Sequence, residues 1–187
     1  MTETGNARKT PVIAIAGWKN SGKTTLTVRL VEELTRRGWR IATVKHAHHD
    51  FQIDEAETDS ARHRRAGARE VAIVSARRWA IVHELREEPE PSLAAVISRL
   101  WPADLIIAEG YKSEPIPKIE VRRRAQTSKE PLAEKDPLVI AIAADHAVDG
   151  GGLPVFRLDD VDAIADFIVE SLRPLATRNH ETRPATG

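Results

Sequence analysis

Apolar runs alternate with segments of helical spacing along this chain. VIAIAG (12–17), WRIATVKH (39–46), REVAIVSA (69–76), DLIIAEG (104–110), LVIAIAAD (138–145) and PVFRL (154–158) are rich in Val, Ile and Ala. Continuous apolar runs of this length predict strands buried on both faces. Between them, Leu26, Leu30, Val31 and Leu34 share a helical face, and Gly38 is placed to stop that helix. Leu93, Val96, Ile97 and Leu100 repeat the spacing, with Pro91 and Ser92 at the start and Pro102 after the end. Ile164, Phe167, Ile168 and Leu172 repeat it again behind the acidic, N-cap-like DDVD. Strands alternating with helices predict the α/β class, a parallel sheet with helices on its faces.

Two segments break the alternation. WAIVHELR (79–86) and IPKIEVR (116–122) read as strands with no helix before them. Part of the sheet is therefore expected to be antiparallel, or to project as a hairpin suited to a dimer. The stretch from Arg122 to Pro137 is charged and poor in apolar residues, which predicts a mobile loop. The resulting division is a flexible N-terminus (1–10), one domain (11–173) and a disordered tail (174–187), with no internal repeat.

Composition narrows the classes of function. Apolar residues make up 41% of the 187, enough for a core, and Lys plus Arg balance Asp plus Glu at 28 each. With no net charge, no global field draws the chain to nucleic acid or to a membrane surface, so anion binding must be local. The absence of cysteine removes disulfides, thiolate metal sites and cysteine nucleophiles. MTETGNARKT lacks the apolar core of a signal peptide, and no apolar run approaches the ~18 residues of a membrane span. The expectation is a cytoplasmic protein.

Gly17, Gly22, Lys23 and Thr24 satisfy G-x-x-x-x-G-K-[ST], the phosphate-binding loop (P-loop) signature, between a strand and a helix. In that setting glycines turn backbone N–H groups inward and the helix points its positive end at the phosphates. Lys23 would bridge the terminal phosphates and the Thr24 hydroxyl would ligate Mg²⁺. Lys19 adds a second positive charge inside the loop. A carboxylate near the ion belongs at the carboxyl end of a neighbouring strand, which favours Glu109 over the strand-entry residue Asp104.

TVKHAHHDFQID follows the second strand and packs Lys45, His46, His48, His49, Asp50 and Asp54 into ten residues. That content invites a transition-metal reading. Contacts to a nucleotide, a substrate or a switching loop are the competing one. Thr58 or Asp59 can cap a helix carrying Arg62, Arg64 and Arg65, ended by Gly67, and Asp59 can alternatively reach Mg²⁺. Asp145 ends a late strand, where a carboxylate can accept from the N1–H and 2-amino groups of guanine or simply start a turn.

These motifs together resemble the molybdopterin-guanine dinucleotide biosynthesis adapter family, MobB. The resemblance runs from about Val12 to Leu172, through GWKNSGKTTL, VKHAHHDF, TDSARHRRAGA, EGYK, PKIEV and the strand ending in Asp145. It implies a P-loop NTPase three-layer sandwich with a mostly parallel central sheet and an additional β-hairpin element. It also implies a GTP-binding protein with Mg²⁺ and weak GTPase activity. The family expectation is a homodimer that assists the guanylyltransferase MobA in attaching GMP to molybdopterin. By resemblance, Gly17, Lys19, Asn20, Ser21, Gly22, Lys23, Thr24 and Thr25 bind phosphates and the ion. Glu109 and one of Asp50 or Asp59 complete the metal's surroundings. Lys23 and Glu109 are the catalytic candidates, with Lys23 and Mg²⁺ helping water attack the terminal phosphate by stabilising charge. Competing expectations are a small-molecule kinase or ATP-dependent ligase, and a nucleotide-driven metallochaperone loading through His46, His48 and His49.

Overall fold

The structure is a computed structural model, and it describes residues 10–47, 58–126 and 130–176. The chain divides into two compact units, Met1–His46 with Ile97–Gly187, and Ala47–Val96, where the sequence analysis takes residues 11–173 as one domain.

The first unit is built on a six-stranded sheet. Its strands are β1 (Val12–Ala16), β2 (Ile41–Lys45), β5 (Leu105–Glu109), β6 (Lys118–Arg122), β7 (Val139–Ala144) and β8 (Val155–Arg157). Their order is β2-β5-β1-β6-β7-β8, and every pairing is parallel. The apolar runs are continuous because both sheet faces are covered. Ile13, Ile15, Leu105, Ile107, Ile119, Val121, Ala141 and Ala143 face one core with Leu26, Leu30 and Leu34 of α1 (Lys23–Arg36) and Ile164, Ile168 and Leu172 of α4 (Val161–Ala176). Residues at alternate positions, including Ala14, Ala16, Ile106, Ala108 and Ile142, are equally buried.

Helix ends follow their local chemistry. Gly38 has φ +87, and the N–H groups of Gly38 and Trp39 donate to the carbonyls of Thr35 and Leu34, closing α1 as expected. Asp160 accepts from the N–H of Ala163 at the head of α4, which runs to Ala176, beyond the expected domain end at 173.

The expectation for IPKIEVR is corrected. β6 lies inside the parallel sheet between β1 and β7, not in a hairpin. The connection from β5 to β6 contains no helix, and Lys118, 1% exposed, gathers it. Its Nζ donates to the carbonyls of Glu114 (2.6 Å) and Ile116 (3.0 Å) and pairs with Asp136 at 3.0 Å. The charged segment after Arg122 is likewise tied rather than free over 130–137. Glu120, also 1% exposed, accepts from the N–H groups of Leu132 (2.8 Å) and Ala133 (3.0 Å) and pairs with Arg122 at 2.8 Å.

The second unit holds α2 (Asp59–Arg65), β3 (Glu70–Val74) and β4 (Trp79–His83), with α3 (Leu93–Ile97) at its boundary. Thr58 caps α2, accepting from the Ala61 N–H, and Gly67 follows the helix with φ +113. β3 and β4 pair antiparallel as a separate two-stranded sheet, so the expected hairpin is here. The reading of REVAIVSA as a strand buried on both faces is corrected: Val71 is buried, whereas Ile73, Val74, Trp79 and Ile81 are exposed. Two strands alone have no second layer of sheet to cover them. α3 is also shorter than the 93–100 spacing suggests.

Candidate functional site

Six parallel strands bring their carboxyl ends to one sheet edge, and the residues that leave β1, β2, β5, β6 and β7 there carry the candidate chemistry. β1 delivers the loop Gly17–Gly22. A Cβ on Gly17, at φ +147, would stand 2.6 Å from the Val121 carbonyl oxygen, and one on Gly22, at φ +96, would stand 2.8 Å from Arg123 Nε. Gly17 is therefore required for space and backbone conformation, and Gly22 for its backbone conformation. Ser21 N–H closes the turn onto the Trp18 carbonyl at 3.1 Å, and α1 starts at Lys23. The result is a helix N-terminus facing the mouth of the loop, the geometry that receives phosphate.

Lys23 Nζ donates to the Trp18 carbonyl at 2.7 Å. Partial burial pushes its ammonium below the ordinary value of 10.5; Glu109 opposes that shift, and Lys112 and Lys45 add to it. Thr24 Oγ1 donates to Glu109 Oε1 at 2.6 Å. Glu109 ends β5, directly beside Lys45 at the end of β2, and its Oε1 stands 3.4 Å from Lys45 Nζ. A hydroxyl and a carboxylate oxygen side by side at the loop form a donor set that fits a hard divalent cation such as Mg²⁺.

The structure places the remaining sequence-predicted residues as follows. Asp104 stands at the entering end of β5 and pairs with Arg40 at 2.7 Å, which lowers its pKa. Lys19 and Asn20 are exposed on the loop, with Asn20 at φ +64, and Ser21 is buried. Asp59 begins α2 in the second unit, with its carboxylate 3.6 Å from Arg62. His46 packs against Tyr111 with the ring planes tilted by 56° and the centroids 5.4 Å apart. His48, His49, Asp50 and Asp54 lie outside the described residues, and among the described residues no group of three or more His, Asp or Glu could hold a metal ion.

Asp145 follows β7 and borders a cavity of about 610 Å³, with Thr25, Arg29, Arg123, His146 and Arg157 also in its wall. Its Oδ1 accepts from the Arg124 N–H (2.8 Å) and meets His146 Nδ1 at 2.9 Å. The Arg124 N–H first, then His146, hold the carboxyl below its usual range, so it stays an acceptor. Thr25 places this cavity beside the first turn of α1.

Sequence reasoning missed Arg123 and gave Lys45 and Lys112 no role of their own. Arg123 leaves β6 against Gly22, and its buried Nε has no hydrogen-bond partner among the described residues. Lys45 was read only within a polar cluster. Lys112 was noted only as part of EGYK, and its Nζ lies 4.3 Å over the Trp18 ring. The available signal was position, since Lys45 and Arg123 both stand at the exit of an apolar strand run.

The sequence model of one family, described as "Molybdopterin guanine dinucleotide synthesis protein B", matches residues 12–145. A molybdopterin-guanine dinucleotide biosynthesis adapter protein from Escherichia coli (strain K12) is 39% identical over 164 residues, covering 86% of this chain and 92% of that protein. One of the same name from Haemophilus influenzae is 36% identical over 161 residues, covering 84% and 87%. A crystal structure of molybdopterin-guanine biosynthesis protein B superposes with a TM-score of 0.68 at 31% identity, covering 87% of this chain and 99% of that one. A MobB homologue from Bacillus stearothermophilus gives 0.63 at 27% identity, covering 87% and 98%. No described helix is long and apolar enough to cross a membrane.

Proposed function

Because the chain belongs to the MobB family of molybdopterin guanine dinucleotide biosynthesis, we propose that it works there as a GTP-binding adapter with weak GTPase activity. The observation that carries this reading is the phosphate loop and Glu109 on one parallel sheet edge, with Thr24 bonded to Glu109 at 2.6 Å. The phosphates lie along Gly17–Thr25, with Lys23 on the terminal ones. Thr24 and Glu109 hold Mg²⁺, which supplies charge neutralisation when bound. Glu109 accepts a hydrogen bond from the Thr24 hydroxyl, which would leave the hydroxyl oxygen's lone pairs available to the ion. No described side chain is committed to orienting water, which accords with slow turnover.

The base occupies the cavity beside Asp145, whose charged carboxylate accepts from guanine N1–H and the 2-amino group. Adenine presents no such pair of donors. The adapter role follows the names of the relatives, and MobA is the partner it serves. The exposed apolar residues of the β3–β4 hairpin, Val74 at 76% and Trp79 at 62%, support a homodimer.

Calorimetric titration with GTP and then ATP, each with Mg²⁺, tests the reading. The expected result is a clear preference for GTP. Preference for ATP would instead support the kinase or ligase alternative. Glu109→Gln keeps an acceptor for Thr24 but removes the charge. It is expected to fold normally while nucleotide binding loses its dependence on Mg²⁺ and hydrolysis falls. Unchanged Mg²⁺ dependence, read by titration with and without the ion, would move the metal assignment to another carboxylate such as Asp59 or Asp50.

A further inference from the structure

Among the described residues, the charges that act on Lys23 are one carboxylate, Glu109, and two further lysines. Lys23 comes from the loop, Lys45 from the end of β2, and Lys112 from the turn after β5, where its N–H donates to the Gly110 carbonyl at 2.7 Å. Lys45 and Thr24 address the same oxygen, Glu109 Oε1, at 3.4 and 2.6 Å. Lys45 Nζ is therefore no farther from the Thr24 hydroxyl than those two distances together. Lys112 reaches the loop from above, over the Trp18 ring.

Three ammonium groups against one carboxylate leave a surplus of two positive charges. A nucleoside triphosphate carrying a divalent cation has about two negative charges, and the corresponding diphosphate about one. The triphosphate brings one more negative charge to that surplus than the diphosphate does. Of the three, Lys23 alone belongs to the phosphate-loop signature, so the other two charges need an account. Neither is strongly held. Lys45 is separated from Glu109 by more than a good N–H···O distance and its side chain is 61% exposed, while the Lys112 ammonium lies over the Trp18 ring. Weak partners leave both free to move to a stronger anion.

We propose that Lys45 and Lys112 form a terminal-phosphate clamp, contacting the third phosphate of a nucleotide bound on Gly17–Thr25 and so distinguishing triphosphate from diphosphate. The clamp rests on the phosphate-loop reading above. It gives an adapter with slow hydrolysis a means of registering which nucleotide it holds, from residues of a single chain.

The test is calorimetric titration of Mg²⁺-GTP and Mg²⁺-GDP into the wild-type chain, Lys45→Gln, Lys45→Gln with Lys112→Gln, and the corresponding double arginine variant. The double glutamine variant is expected to lose about tenfold or more of the GTP-over-GDP preference, with GDP affinity changed by less than about threefold. Double arginine restores the preference. Retained GDP binding reports that each variant is folded, and Lys45→Gln alone, at an exposed position, gives a partial loss of the same kind. An unchanged preference, or equal losses for both nucleotides, overturns the clamp. If Lys23→Ala in the same series weakens both nucleotides, the phosphate-loop reading survives that failure. Absence of nucleotide binding in the wild type overturns both.

Discussion

Lys23→Ala lowers the affinity for GTP by about 10- to 150-fold, the loss of a charge-assisted contact worth roughly 1.5–3 kcal/mol. The same substitution leaves thermal stability of the nucleotide-free protein unchanged or slightly raised. The sign follows from the lysine's lowered pKa. Its charged form is less favourable in the folded chain than in the unfolded one, so the folded protein bears a cost at neutral pH. That cost is relieved only as pH rises through the folded-state value. Removing the ammonium removes the cost, and leaves only the Trp18 carbonyl without its 2.7 Å donor. Binding and stability therefore move apart. Calorimetry with GTP and thermal unfolding without it measure the two separately. Unchanged GTP affinity would sink the phosphate-loop assignment, and a large fall in the unfolding midpoint would make Lys23 chiefly structural.

Glu120→Ala has the largest expected effect on stability. The carboxylate is 1% exposed and serves the N–H groups of Leu132 and Ala133 together with Arg122. Truncation leaves two backbone donors and a partly buried guanidinium unpaired, a loss of about 3–5 kcal/mol. In a chain of this size the unfolding midpoint falls by roughly 6–20 °C. The neighbouring exposed Glu134→Ala is the control, expected within about 0.5 kcal/mol of wild type. The damage should also reach the phosphate loop. Residues 130–136 touch the loop through Trp18 Nε1, which donates to the Glu130 carbonyl at 2.9 Å. A midpoint equal to that of Glu134→Ala would show that water replaces the lost acceptor without cost.

Much of this architecture is written in local pattern. Continuous apolar runs at 12–17, 104–110 and 138–145 became central parallel strands because both sheet faces are covered there. REVAIVSA carries the same pattern and became an exposed hairpin strand, since apolar composition records burial in some environment and not which one. IPKIEVR failed in the opposite direction. Three charges alternate along this short run, and the missing helix before it suggests a hairpin, yet Lys118 and Glu120 are buried by partners up to eighteen residues distant in sequence, Asp136 and Leu132 among them.

The chain by itself determined the phosphate loop, the strand that delivers it, the helix behind it and Glu109 as the carboxylate at the end of a strand. These depend on residues within one β–turn–α segment or on the polarity of a single strand, where spacing fixes geometry. Tertiary structure decided what converges on them. Strand order set Lys45 beside Glu109 and Arg123 against Gly22, and a turn returned Lys112 to Trp18. Order within a sheet arises from packing among segments far apart in sequence, so no local period encodes which strand exits become neighbours.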